Sequence, residues 1–338
     1  MKINKNKLQN ALELVKPGLA NKEMIEQSTS FAFLKGKVVT YNDEISISHP
    51  IEEIELEGAI QAEELYKLLG KIKKEEIELT IKDNEVFLKA GRIEAGVSLQ
   101  EKITLPFIDE IKVQNEWELL PEHFIEALQF TVVSCSVDMS KPVLTCVHVD
   151  QKGIIESSDN FRLAKYTLSE SFNFESFLIP ASSVLQVIKL KPIKIAKGKG
   201  WVHFQTKEKT VISCRILEDK YPNTTSFYNV KGMTFDFPQK TLEGLEKAHI
   251  FAKRDYTLDE TIDITIANKK LTISSKSTSG WYKESLNIRY SAKPITFSIT
   301  PYLLKDILNK TNTCQINDKM LKFAKNEWEY VSILRESK

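Results

Sequence analysis

Several kinds of chemistry are missing from this sequence of 338 residues. Its four cysteines, Cys135, Cys146, Cys214 and Cys314, show no C-x-x-C spacing and lie in apolar or strand-like surroundings such as Leu144-Thr145-Cys146-Val147. They read as buried, reduced thiols acting as small hydrophobes, not as a zinc set or a disulfide framework. The five histidines, His49, His123, His148, His203 and His249, form no H-E-x-x-H or other zinc spacing. No G-x-S-x-G nucleophile elbow occurs. The nearest approach to a phosphate-cradling loop, Lys197-Gly198-Lys199-Gly200, runs into a strand pattern where a helix is required, and reads as a hairpin or loop turn. Ser157-Ser158-Asp159 has no identifiable histidine partner. Without a nucleophile, a metal set or a phosphate cradle, the expectation is a protein that is not an enzyme and holds no metal or cofactor. A carboxylate pair assembled from distant positions stays open.

A long apolar run is missing too. No stretch approaches the roughly 20 residues of a membrane span. No apolar region follows Met1-Lys2-Ile3-Asn4-Lys5 as a secretory signal would need, so a cytoplasmic chain without a membrane partner is expected. Strong net charge is also lacking. The overall balance is +1. Residues 1–113 carry 16 basic against 20 acidic side chains, residues 114–232 carry 14 against 13, and residues 233–338 carry 17 against 13. Bulk charge of this kind does not grip nucleic acid, so any such contact must come from clustered lysines and be weak and mobile.

What is present is enough apolar material for cores, 42% against 28% charged residues, in a chain long enough for two or three domains of about 100–150 residues. A repeat emerges from the helix patterns. Leu8-x-x-Ala11-Leu12-x-x-Val15, Phe124-x-x-Ala127-Leu128 and Leu242-x-x-Leu245-x-x-Ala248 share an i, i+3, i+4 apolar face, and their starts lie 116 and 118 residues apart. A second set begins at Ala62, Ala181 and Pro301, with starts 119 and 120 apart. Strand-like alternation with Asn, Asp or charged turns follows each second helix, as in Ile77–Ile81, Asp83-Asn84, Val86–Leu88. Similar strands, such as Ile262–Ile266 and Leu271–Ile273 around Asn268-Lys269, precede the third one. Each repeat therefore reads helix, strands, helix, strands. The fold class expected is α+β, with mainly antiparallel sheets covered by two helices and domains at 1–113, 114–232 and 233–338.

Five segments resemble a known family, in that family's order. Glu156-Ser157-Ser158-Asp159-Asn160-Phe161-Arg162-Leu163-Ala164 is similar to the T-D-G-H-R-L-A stretch of bacterial DNA sliding clamps, the β subunits of DNA polymerase III. Lys141-Pro142-Val143-Leu144-Thr145-Cys146-Val147 resembles R-P-x-L-x-G-V, and Ile179-Pro180 resembles the family's I-P-x-K helix start. Arg215–Asn223 is similar to R-L-I-x-G-x-F-P-D, and Phe297–Leu304 to F-N-x-x-Y-L-L. The first third matches mainly in its helix and hairpin pattern. Asn160-Phe161 stands where the family commonly has Gly-His, and the tail Ile333-Leu334-Arg335-Glu336-Ser337-Lys338 lacks the M-P-M-R-L ending. The chain is also shorter than typical members. These departures mark a divergent member, phage-encoded or from an AT-rich, low-GC bacterium.

The resemblance implies a three-domain subunit of the clamp fold, half of a six-domain ring closed by a head-to-tail homodimer around double-stranded DNA. Such a ring is a processivity factor in DNA replication. It tethers the replicative DNA polymerase and other clamp-binding-motif proteins, and a clamp loader places it on DNA. The family's partner-peptide groove maps to Leu144, Ser158, Asn160, Phe161, Arg162, Leu163, Pro222, Thr313, Val331 and Ile333, with Phe161 and Arg162 at the rim. DNA-facing lysines are expected on the repeated helices: Lys16, Lys67, Lys71, Lys189, Lys191, Lys247, Lys305 and Lys310. The same lysines are what any solvated helix face carries. A single-stranded-DNA-binding protein is the alternative within the binding class, but Phe172, Phe174 and Phe177 cluster instead of interleaving with lysine. A DNA-acting hydrolase using dispersed carboxylates is the alternative from another class.

Overall fold

The computed structural model of the chain describes all residues except 35, 107–110, 112, 114, 115 and 336–338. Gln114 and Asn115, at the first expected boundary, lie outside the described residues, as do the last three residues of the tail. The first third holds β1 (Lys2–Asn4), α1 (Lys5–Val15), β2 (Ser30–Leu34), β3 (Lys37–Tyr41), β4 (Ile45–Pro50), β5 (Gly58–Gln61), α2 (Ala62–Lys71), β6 (Glu76–Lys82), β7 (Glu85–Ala90) and β8 (Ile93–Ser98). The middle third holds β9 (Glu118–Leu119), α3 (Phe124–Thr131), β10 (Cys146–Val149), β11 (Ile154–Ser158), β12 (Arg162–Thr167), β13 (Phe177–Pro180), α4 (Ala181–Leu190), β14 (Lys194–Gly198), β15 (Trp201–Gln205) and β16 (Val211–Arg215). The last third holds β17 (Met233–Asp236), α5 (Thr241–Ala252), β18 (Ile262–Ala267), β19 (Lys270–Ser277), β20 (Gly280–Asn287), β21 (Ile295–Ile299), α6 (Pro301–Leu308), β22 (Thr313–Ile316), β23 (Met320–Ala324) and β24 (Trp328–Ile333).

All six expected helices form, for local reasons. The Asn4 side chain caps α1 by accepting from the Asn6 and Lys7 amides at 3.0 and 3.1 Å. The face of α1 buries Leu8, Ala11, Leu12 and Val15, the residues of its i, i+3, i+4 pattern. Burying each Leu or Val there is worth about 1.5–3 kcal/mol. In α5 Gly244 faces β19, where an added Cβ would stand 2.7 Å from the Ile273 Cδ1 and push that side-chain end aside. The tight hairpins follow their turn residues. Asp83-Asn84 and Asn268-Lys269 both adopt positive φ, as two-residue hairpin loops require. Lys197-Gly198-Lys199-Gly200 closes the β14–β15 hairpin, with Gly198 paired to Trp201.

The chain forms two compact units, residues 1–129 with 172–219 and residues 130–171 with 220–338. The middle expected repeat is divided between them, because its strands pair in two directions. In the first unit β16 joins β4 (Val211↔Ser48, Ile212↔Ile47), within the strand order β5-β2-β3-β4-β16-β15-β14-β9. In the second unit β12 joins β24 (Leu163↔Val331, Lys165↔Glu329), within the run β10-β11-β12-β24-β23-β22-β17. Each unit also has a four-stranded sheet, β1-β6-β7-β8 in the first and β20-β19-β18-β21 in the second. Every ladder recorded within a unit is antiparallel, and β18 shows the expected single apolar face in the alternation of buried Ile262, Ile264 and Ile266. Among the described residues no helix is long and apolar enough to cross a membrane.

Candidate functional site

The site begins with a hairpin turn in the second unit. Ser158-Asp159-Asn160 lies between β11 and β12, and its side chains build the turn. The Asp159 Oδ1 accepts from the Phe161 and Arg162 amides, both at 3.0 Å. The Ser158 hydroxyl accepts from the Asn160 amide at 3.1 Å and donates to the Arg162 carbonyl at 2.9 Å. Asn160 takes φ 71°, a conformation asparagine tolerates well. The turn projects Phe161, and the adjoining β24 fixes it, since the Ile333 amide donates to the Phe161 carbonyl at 2.9 Å.

A cavity of about 300 Å³ opens beside this turn. Leu144 enters it from the short 3-10 turn Pro142–Thr145, Leu163 from β12, and Val331 and Ile333 from β24. Pro222, Asn223, Thr224 and Phe227 close the far wall, and Met320 lies beside Ile333 on the paired β23. Nine of the ten residues expected at the groove therefore meet: Leu144, Ser158, Asn160, Phe161, Arg162, Leu163, Pro222, Val331 and Ile333. Thr313 does not join them. It begins β22, where its hydroxyl donates to Asp236 at 2.6 Å across the β17 pairing.

Arg162 differs from its expected place at the rim. It is buried, and its guanidinium is consumed internally: Nε binds Asp159 at 3.0 Å, Nη1 binds Asp306 at 2.5 Å, and Nη2 donates to the Val133 carbonyl. It also lies 4.8 Å from the Tyr302 ring centre. The side chain thus ties the turn to α6 and leaves little charge for a ligand. Burial pushes the Asp159 carboxyl above its ordinary range, and the Arg162 beside it offsets that only in part.

A second cavity of about 450 Å³ adjoins the first across Asn160, Phe161 and Arg162. Cys135, Val137, Lys141 and Tyr302 are among its lining. Burial pushes the Cys135 thiol and, as the chief cause, the Tyr302 hydroxyl up to about 12, so both are neutral at physiological pH and Cys135 is no nucleophile. Phe161 stands between two concave, mostly apolar spaces, a shape that takes side-chain anchors from a ligand.

Sequence reasoning missed Asn223, Thr224, Phe227 and Met320 in the first cavity and, among others, Tyr302 and Val137 in the second. Met320 had a signal, since a hairpin turn at Asn317-Asp318 brings β23 back beside the tail. Phe227 had none, because its place depends on how the 221–228 segment lies on the sheet.

The eight expected lysines sit on the helices or at their ends. In the first unit Lys16 stands 4.2 Å over the Tyr66 ring and Lys67 pairs with Glu63 on α2. Lys71, Lys189 and Lys191 are exposed and make no ion pair among the described residues. In the second unit Lys247 reaches Glu284 at 3.4 Å, Lys305 stands 4.0 Å from Glu246, and Lys310 lies 5.6 Å over Phe130. Among the described residues no group of three or more His, Cys, Asp or Glu is placed to hold a metal ion.

No protein-family model matches the sequence, and no curated protein does so either. Solved structures are similar over its whole length. The DNA polymerase III β chain from Streptococcus pneumoniae TIGR4 matches with a TM-score of 0.86 at 18% identity, over 99% of each chain. The β subunit from DNA polymerase of Streptococcus pyogenes matches at 0.87 and 18%, again over 99% of each. A sliding clamp from Pseudomonas aeruginosa, solved bound to griselimycin, matches at 0.87 and 14%, over 100% of this chain and 99% of that one. The chain has the fold of the DNA polymerase III β sliding clamps.

Proposed function

We propose that this chain is a DNA sliding clamp, a ring subunit that encircles duplex DNA and holds the replicative polymerase to it through a peptide groove. One observation carries the reading: on a clamp fold, nine residues chosen from sequence motifs line a single apolar cavity. A ring tethers by topology, so it needs no tight hold on DNA, and the polymerase gains effective concentration at the primer end. The near-neutral charge suits this, with Lys71, Lys189 and Lys191 the lysines best placed to meet phosphate as solvated point charges.

The three repeats 1–113, 114–232 and 233–338 would act as three clamp domains, two chains making six. Ring closure would use two open sheet edges, β8 and β20. Both carry exposed apolar side chains, Ile93 at 40% and Trp281 at 69% exposure, which a stable monomer would keep covered. The clamp loader and other motif-bearing proteins would use the same groove as the polymerase.

The test has two arms. Light scattering should give a dimer, twice 38.7 kDa. Protein loaded on circular DNA should stay, and should leave when the DNA is linearised. A monomer persisting at tens of micromolar, or salt-resistant nanomolar binding to a short linear duplex, contradicts the reading.

A further inference from the structure

We infer that a row of alternating basic and acidic side chains beneath residues 221–228 positions one wall of the groove and thereby sets its affinity for a partner peptide; this rests on the groove reading above. The row runs straight across the strands of the second unit. His148 on β10 is the register neighbour of Glu156 on β11, Glu156 of Lys165 on β12, and Lys165 of Glu329 on β24. Lys322 on β23 completes it by reaching Glu329 at 2.5 Å. Directly opposed residues project to the same face of a sheet, so the first four side chains lie together, and Lys322, opposite Val331, shares that face and reaches Glu329 diagonally. All are at most 24% exposed.

Each member next to the segment holds a different part of it. His148 stacks on Tyr221 with ring centres 4.7 Å apart. The Glu156 Oε1 meets the His148 Nδ1 at 3.0 Å, and its Oε2 accepts from the Thr224 hydroxyl at 2.5 Å. Lys165 stands 4.2 Å over the Tyr228 ring, and the Lys322 ammonium donates to the Tyr228 carbonyl at 2.7 Å. Glu329 holds both lysines. The segment is also anchored by apolar packing of Tyr228 and Val230 on Val331, Leu163 and Met320, but its backbone has only a 3-10 turn over Thr225–Tyr228 and no strand pairing among the described residues. Its other side presents Pro222, Asn223 and Phe227 to the cavity. An apolar underside would also attract the segment, but burial is non-directional. Hydrogen bonds and charge pairs of fixed geometry decide where Phe227 stands.

The test is Lys322→Met, which keeps the aliphatic stem, with the near-isosteric Thr224→Val as a second variant. Calorimetry with the C-terminal peptide of the cognate replicative polymerase is expected to show affinity about five- to tenfold weaker. Amide hydrogen exchange should quicken over residues 222–229 and stay unchanged in β10–β12. In a Phe227→Ala background, Lys322→Met should cost little more, because its effect passes through that wall. Unchanged affinity in both variants overturns the inference. So does a loss that adds in full to that of Phe227→Ala. If Lys322→Met does not fold, Lys165→Met decides in its place, since Lys165 stands over the Tyr228 ring and, unlike Thr224, does not line the cavity. Phe161→Ala separates the two readings: if it too leaves the peptide bound, the groove reading has failed, and if it alone weakens binding, only the positioning row has.

Discussion

The two places where strands far apart in sequence join, β4 with β16 in the first unit and β12 with β24 in the second, are built alike and finished differently. In the first unit β16 meets β4 through small or aliphatic pairs, such as Ser213↔Ser46 and Ile212↔Ile47. Arg215 there pairs with Asp43 at 2.7 Å and stands over Trp201. Trp201 packs with Tyr41, Val39, Ala32 and Leu105 as a buried apolar cluster. In the second unit β12 meets β24, with Arg162 paired to Asp159 beside the junction. The covering segment here packs Tyr228 and Val230 on Val331, Leu163 and Met320 and is tied to the sheet by polar contacts at Tyr221, Thr224 and Tyr228, and a cavity remains beside it. The first junction is closed by its apolar cluster. The second keeps a concave surface for a ligand next to its own cluster.

The largest effect should come from opening the sealed junction. Trp201→Ala removes a nearly buried indole, and its unfolding free energy in urea should fall by about 3–5 kcal/mol. A loss below about 1 kcal/mol would mean the cluster is not what closes this junction. At the open junction the expected balance is reversed. Phe161→Ala or Ile333→Ala should weaken partner-peptide binding by roughly five- to tenfold or more. Neither should cost much stability, since both side chains are only partly buried. Calorimetry and light scattering on the same samples check both halves, and unchanged affinity for both variants would remove the site from this junction.

Acid should separate the junctions by pH. His49, beside the first, has its imidazole pulled below the usual 6.5 by burial. Its folded form binds a proton less readily than its unfolded form, so the first unit should lose stability as pH falls below about 6.5 and through the lower folded value. Glu329, in the second, is pushed up by burial, but Lys165 and Lys322 outweigh this and hold its carboxyl below the ordinary 4.5. Its contribution is complete above that value and is lost as pH falls through the folded one. Urea midpoints followed from pH 8 to 3 should show both steps, His49→Asn removing the first and Glu329→Gln the second. The smallest effect should be that of Thr313→Val, which lies outside the cavity. Its peptide affinity should stay within about twofold of the parent, and a larger loss would extend the groove to β22.

The sequence by itself determined the six helices and the tight hairpins, and its resemblance to the clamp family implied most of the cavity lining. Helix faces and Asn or Asp turns are local, written within three to ten residues, as in Leu8–Val15 or Ser158-Asp159-Asn160. Leu144, Phe161, Leu163 and Val331 were placed together by the resemblance to the clamp family, whose motif stretches they sit on, and not by any local pattern. Only the tertiary structure decided the rest. The pairing of β16 with β4 and of β12 with β24 joins residues more than 160 apart, through sheet edges that offer the same backbone groups to any strand. Arg162 looked free for a ligand until Asp306, 144 residues away, arrived beside it on α6. The charged row from His148 to Lys322 has no spacing in the chain at all. It exists only where antiparallel pairing sets four of its members opposite one another and brings Lys322 diagonally to Glu329, and a side chain's electrostatic partner is chosen by distance in space, which sequence separation does not encode.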